Sequence, residues 1–351
     1  MNSRALKIAV IMMLAMITSC DEPETVVTDI VHADGSVTRR IEMKNTENKF
    51  DIHKIQVPFD SSWIVKDSLE FNKKGDTTWV KRAEKLYASI DEINMSYRAD
   101  SGDNKTVSRR SEFKKRFRWF NTEYRFAEII ERQFTYGYPV SDFLNKEELA
   151  YFYSPKDVIN KFEQGPDSLK YKALKDTISS KTDKWTIKSA MAEWIGDFSK
   201  LAGSKAGSDI SFDALKARED EFVKISMENT DHFDSLWKNG ILLKEFIGES
   251  NALKFKTEAD SSINLVTKKL FVDFHGYSVR IVMPGKLIGT NGLMDSTKVL
   301  LWPVKSEYFL TQPYEMWAES KETNKWAWIV SGIFLLFVFA GIIFRTIKKA
   351  E

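Results

Sequence analysis

Thr25-Val-Val-Thr-Asp-Ile-Val-His-Ala-Asp-Gly-Ser-Val-Thr-Arg-Arg-Ile-Glu-Met43 decides how the rest of the chain is read. β-Branched residues crowd both halves, and Asp34-Gly35 lies between them. That order predicts two antiparallel strands, Thr25–His32 and Ser36–Met43, because glycine enters the positive-φ turn at no steric cost. Moving outward, Trp63–Phe71 and Thr77–Leu86 read as a second extended pair joined by Lys73-Lys74-Gly75-Asp76. Ser89, followed three residues later by Glu92, marks the capped start of a helix.

The middle of the chain reads as helical. Phe113, Phe117, Phe120, Tyr124 and Ala127 fall at helical spacing and predict a helix over Ser111–Phe134. A short helix is expected from Ser154-Pro155 to Gly165-Pro166, and a long one from Asp167 to about Leu201. On the long helix Ile187, Met191, Trp194, Phe198 and Leu201 form one stripe. Ser211 caps a helix to about Asn229, and another covers about Asp234 to Gly248. Extended structure is expected to return near Ile263, with strands at Leu270–Phe274, Tyr277–Met283 and Thr297–Val304. The intervening turns are His275-Gly276, Pro284-Gly285 and Thr290-Asn291-Gly292. The expected fold class is therefore α+β. One membrane-proximal β-sheet domain is built from an N-terminal segment, 20–88, and a C-terminal segment, 261–320, around a large helical insertion at 89–260.

Both ends of the chain carry membrane signals. Arg4 and Lys7 precede the charge-free run Ile8–Ile17, which suits a secretion signal over 1–19 and is too short to span a bilayer. Ile17-Thr18-Ser19-Cys20 resembles the bacterial lipobox, and Cys20 is the single cysteine of the chain. Cys20 is thus the expected lipidation site, each buried methylene of an acyl chain adding roughly 0.8 kcal/mol of membrane affinity. Trp326–Phe344 is a run of nineteen uncharged residues, about 28 Å as a helix. Trp317, Trp326 and Trp328 sit at one end of it, Arg345, Lys348 and Lys349 at the other. The positive-inside rule then puts the tail, 345–351, in the cytoplasm and the body outside it. Asp21, Glu22 and Glu24 after the cysteine resemble sorting signals, which retain some lipoproteins in the inner membrane and export others. The apolar helix decides for the bacterial inner membrane with the body in the periplasm.

Composition excludes several functions. The 351 residues hold 52 Lys+Arg against 50 Asp+Glu, a net charge of +2, with 8 Pro and 16 Gly. Such balance and so few helix breakers exclude a disordered chain, and they give no support to nucleic-acid binding. One cysteine leaves no intramolecular disulfide and no multi-cysteine metal site. Histidines stand at 32, 53, 232 and 275. Asp273 and His275, two apart on a strand, would share a face, but His275 beside Gly276 reads as a turn residue. No nucleophile elbow, zincin helix or phosphate loop occurs. No catalytic residue, metal ligand or cofactor is therefore assigned. A membrane-bound periplasmic hydrolase working through Asp/Glu carboxylates stays open as the alternative.

The one local charge anomaly is Arg109-Arg110-Ser-Glu-Phe-Lys114-Lys115-Arg-Phe-Arg118-Trp119-Phe120. Read as a helix, it offers Arg109, Arg110, Lys114, Lys115, Arg118 and Trp119 to anionic headgroups or to an acidic partner, at roughly 1 kcal/mol per cation near a membrane surface. Val282-Met283-Pro284-Gly285-Lys286, Thr290-Asn291-Gly292 and Val299-Leu-Leu-Trp302 complete the pattern begun by Cys20 and Asp34-Gly35 and closed by the last helix. Together these resemble the LppM-like bacterial lipoproteins over the two ends of the body, with the helical middle unmatched. Pro284, Gly285, Asn291, Gly292 and Trp302 are read as the structural turn motif of that pattern. What the resemblance implies is an envelope protein with a small α+β domain near the membrane, in contact with lipid and without established enzyme chemistry. The expectation is a doubly anchored periplasmic lipoprotein of non-enzymatic role, binding membrane lipids or a partner envelope protein or polymer.

Overall fold

The computed structural model describes residues 24–350 except 49, 51–56, 72–76, 101–106, 166, 206–207 and 295–298. The signal segment, Cys20, the Lys73–Asp76 turn and the start of the Thr297 strand lie outside the described residues. Eleven strands are described: β1 (Glu24–Val31), β2 (Val37–Asn45), β3 (Ile64–Phe71), β4 (Thr77–Tyr87), β5 (Arg109–Arg118), β6 (Asn121–Ile130), β7 (Tyr277–Val282), β8 (Lys286–Thr290), β9 (Leu293–Met294), β10 (Leu300–Val304) and β11 (Tyr314–Thr323). Among the described residues they form a seven-stranded sheet, β3-β4-β2-β1-β7-β10-β9, and a four-stranded sheet, β5-β6-β11-β8.

The opening hairpin forms as its residues dictate, with Val31 opposite Val37 and Gly35 at φ 95° in the turn. β1 then pairs in parallel with β7, Val27 facing Val279, so the first and last parts of the body share one sheet. Val27, Val31, Val37 and Ile41 from this sheet are buried in one core with Phe126, Ile130, Met316 and Ala318 from the other. The two sheets thus pack face to face as a sandwich. Helix α1 (Ile90–Ala99) begins as expected, the Ser89 hydroxyl accepting from the Glu92 amide. Ile93 and Tyr97 of α1 pack onto the same core.

A separate helical unit lies in sequence between β6 and β7. It comprises α2 (Lys146–Phe152), α3 (Lys156–Gln164), α4 (Ser168–Gly203), α5 (Phe212–Lys216), α6 (Glu219–Glu228), α7 (Phe233–Lys238), α8 (Ile241–Ile247), α9 (Glu249–Lys254) and α10 (Lys256–Leu270). The predicted stripe on α4 buries Met191, Trp194 and Phe198 against Phe222, Trp237 and Phe246 of α6–α8. The last helix, α11 (Lys325–Ala350), follows β11 after a single residue.

Three expectations are corrected. Ser111–Phe134 is not a helix: β5 and β6 form an antiparallel hairpin, Phe113 opposite Phe126 and Arg118 opposite Asn121. A spacing of four, as between Phe113 and Phe117, satisfies both the helical period and the strand period of two. Pairing of β6 along its whole length with β11, Thr122 to Glu322 through Ile130 to Tyr314, settles the choice. Extended structure does not return at Ile263 either. α10 runs to Leu270, Phe271–Gly276 forms no strand, and the ladder resumes only at Tyr277. Finally, two sheets replace the expected single one, because β5, β6, β8 and β11 assemble apart from β1 and its neighbours.

Candidate membrane-proximal site

Lys325–Ile347 is a helix of 23 residues, long and apolar enough to cross a membrane. Beyond its first two turns, over 332–347, its side chains are exposed on every side, Leu336 at 69% and Phe337 at 73%. A helix apolar all round is one whose burial is supplied by another phase or partner.

The root of this helix is clasped by the β5–β6 hairpin. Asn324, the one residue between β11 and α11, donates from its amide to the Phe120 carbonyl at 3.0 Å. Its side-chain Nδ2 donates to the carbonyls of Arg118 (2.8 Å) and Trp119 (3.2 Å), and its Oδ1 accepts from Thr122 Oγ1 at 3.0 Å. The aromatic residues of the hairpin tip then run beside the helix. Phe117 stacks on Trp326 (6.2 Å between centroids, 8° between planes), Trp119 meets Trp326 edge-on at 5.3 Å, and Phe120 lies 4.5 Å from Trp328. Trp119 Nε1 donates to Ser331 Oγ at 2.9 Å, almost two turns into the helix. Phe117 (57%) and Trp119 (49%) nevertheless remain half exposed. Rings with one polar edge, gathered at the start of an apolar helix, have the composition of a membrane–water interface.

The strand geometry redistributes the cations expected on one helical face. Lys114 and Arg118, with Arg116, alternate onto one face of β5, and all three are exposed. Lys114 lies 3.8 Å from Glu112 and Arg118 lies 3.5 Å from Glu123. Arg110 shares that face but is engaged by Glu112 (3.2 Å) and Glu131. Lys115 points to the other side, donating to the Ala33 carbonyl at 2.9 Å beside the first hairpin turn. Arg109 turns inward, over the rings of Phe274 and Tyr277. The Arg109 and Arg110 end of the segment is therefore spent on the fold, while its far end is presented beside the helix. The cue that sequence reading missed was the pairing of aromatic residues at 117, 119 and 120 with Trp326 and Trp328.

The turn motif sits at the seam between the sheets. Gly285 has φ 73°, and a Cβ there would lie 2.9 Å from the Lys321 carbonyl carbon and closer still to its oxygen. Pro284-Gly285 thus presses on β11 two to three residues before the root of α11. Asn291 bridges both sheets: its Oδ1 accepts from Trp302 Nε1 and from the Trp317 amide, each at 2.9 Å, and its Nδ2 donates to the Glu315 carbonyl at 2.6 Å. Gly292 leaves room for the Trp302 ring, which any Cβ there would enter.

One pair of carboxylates converges in the core of the sandwich. Asp29 on β1 holds Arg39 on β2 in a two-point pair, Nε to Oδ1 at 2.6 Å and Nη2 to Oδ2 at 3.0 Å. Glu128 on β6 accepts from the same guanidinium, from the Tyr97 hydroxyl (2.6 Å) and from Ser111 Oγ (2.8 Å). Arg39 and Asp29 are 0% exposed and Glu128 5%. Burial pushes the Asp29 carboxyl up to about 6; Arg39 opposes the shift and Glu128 adds to it. Burial also acts on Glu128, but Arg39, Tyr97 and Ser111 outweigh it and hold that carboxyl below its ordinary value. Asp273 and His275 do approach, at 3.5 Å, yet among the described residues no group of three His, Cys, Asp or Glu side chains gathers as metal ligands. A shallow cavity of about 210 Å³ on the outer sheet face is lined by Glu24, Val26, Glu42, Lys44 and Arg280, below the usual size of a small-molecule site.

No protein-family model matches the chain, and no curated protein does. A likeness is found to the NMR structure of the folded domain of LppM from Mycobacterium tuberculosis, at 9% identity over 87% of this chain and 92% of that one, with a TM-score of 0.26. No residue role is carried over from it.

Proposed function

We propose that this is an envelope protein of non-enzymatic role, held at the bacterial inner membrane by α11 and by a lipid on Cys20. Its body faces the periplasm and reads the membrane surface through the β5–β6 hairpin. The observation that carries this reading is the seat of Trp119 on Ser331 and Trp326. It brings the hairpin tip to the depth of the first turns of an apolar helix, and with it Lys114, Arg116 and Arg118. Cations at that level attract anionic headgroups by roughly 1 kcal/mol each. Arg345, Lys348 and Lys349 at the other end favour a cytoplasmic tail.

Amide exchange tests the hairpin on the full chain in lipid nanodiscs. With anionic lipid, amides 114–120 are expected to exchange more slowly than with neutral lipid, by up to roughly 100-fold for three cations. Lys114→Glu, Arg116→Glu and Arg118→Glu together should erase the difference. Equal protection in both discs for the unaltered protein would sink the headgroup reading.

The second anchor has its own test and its own geometric consequence. Cys20→Ala should abolish metabolic labelling by fatty acid; persistent labelling removes Cys20 from the scheme. β1 runs away from the N-terminus toward the Ala33–Gly35 turn, where Lys115 and Phe113 of the hairpin strand meet it. At roughly 3.3 Å per residue, Glu24 lies about 23 Å back from that end. The four residues from Cys20 to Glu24 reach about 14 Å at most. A lipid on Cys20 in the bilayer that holds α11 therefore requires β1 to lean toward the membrane surface.

A further inference from the structure

Two carboxylates share one guanidinium at the centre of the sandwich, which leaves one negative charge in excess where water does not reach. We propose that Asp29, Arg39 and Glu128 form a proton-operated latch between the two sheets, in which a single proton taken up on mild acidification cancels the excess charge and tightens the seam.

The groups facing the triad come from every element packed on it. Tyr97 of α1 accepts from Arg39 Nη1 at 2.6 Å and donates to Glu128, and burial keeps its hydroxyl protonated. Tyr87 of β4 lies under the guanidinium at 6.0 Å from its ring centroid. Ser111 of β5 donates to Glu128, while Tyr277 of β7 is buried and stays protonated for the same reason as Tyr97. Arg109 of β5, the next cation, spends its charge on the Tyr277 hydroxyl at 3.4 Å and on the ring beneath it. Among the described residues Arg39 is the cation paired with both carboxylates, so a proton from solvent is the means of cancelling the excess charge.

Asp29 takes the proton. Among the described residues its carboxyl accepts from Arg39 alone, whereas Glu128 accepts from three donors that favour its ionised form. Neutral Asp29 still accepts from Arg39, and the guanidinium then balances Glu128 alone. The location matters because β1 is the strand nearest the N-terminal anchor, and β6 pairs throughout with β11, which enters α11. The triad therefore stitches the N-terminal hairpin to the sheet that carries the apolar helix, whether or not Cys20 is lipidated.

The sign of the pH dependence follows from the raised Asp29 value. The folded state binds this proton more tightly than the unfolded chain, so the contribution is fully present below about 4, the ordinary range, and is lost as pH rises through about 6. Thermal unfolding of the full chain in detergent should show a melting temperature that climbs by a few degrees between pH 8 and pH 5. Asp29→Asn should remove that climb. Infrared difference spectra should show a protonated carboxyl appearing with a midpoint near pH 6 in the unaltered protein and not in the variant. Glu128→Gln supplies an independent arm, because Asp29 is then paired one-to-one with Arg39 and its proton should leave at lower pH than in the unaltered protein. A climb that persists unchanged in both variants, or a carboxyl band that titrates only near pH 4, overturns the latch.

Discussion

Arg39→Met should cost about 4 kcal/mol of stability. The loss is not the worth of one ion pair. Removing the guanidinium strands Asp29 and Glu128 without a counter-charge in a site where neither is solvated, and Tyr97 loses the donor that orders it. Urea unfolding measures it as a fall in midpoint at unchanged slope. The triple change Arg39→Met, Asp29→Asn and Glu128→Gln should recover more than half of the loss, since neutral groups of the same shape need no counter-charge. A single variant within about 1 kcal/mol of the parent would show that the triad is hydrated and not sealed.

Gly285→Ala is expected to cost about 3 kcal/mol, from two sources that add. The backbone is held at φ 73°, where a Cβ is strained, and that Cβ would run into the Lys321 carbonyl. Relief requires the β7–β8 turn to lift from β11, which loosens the strand that leads into α11. Limited proteolysis should therefore cut the variant in 283–292 many times faster than the parent, with the helical unit unaffected. Gly240→Ala is the control. It also has positive φ, 71°, in the left-handed helical region, but nothing lies within 4 Å of its would-be Cβ, so it should lose only about 1 kcal/mol.

The contrast between these two sites bears on what could be read in advance. Asp34-Gly35 between β-branched runs specifies its hairpin locally, and the register Val31 to Val37 needs no distant partner. The stripe on α4 is likewise local, since Met191, Trp194 and Phe198 repeat at the helical period only. Arg109–Phe120 was legible as basic and aromatic but not as a strand. The spacing of four between Phe113 and Phe117 obeys both periods, and the segment's partner strand β6 is itself held by β11, about two hundred residues away.

The triad was not legible at all. Asp29 and Arg39 face each other across a local hairpin, but Glu128 is 89 residues from Arg39 and sits in a segment whose pattern favoured a helix. Charged residues on a half-buried strand are ordinarily assigned to the solvent face, and only the packing of a second sheet places these on the inner one.

The sequence by itself determined the features that depend on short stretches: the Thr25–Met43 hairpin, the long amphipathic helix, and the apolar Trp326–Phe344 run whose composition suits hydrocarbon. Tertiary structure decided the division into two sheets, the seat of the hairpin tip on the root of α11, and the burial of Asp29, Arg39 and Glu128. Each of these depends on contacts between residues far apart in the chain. A local period can say that a residue has an apolar side, but not which partner will cover it.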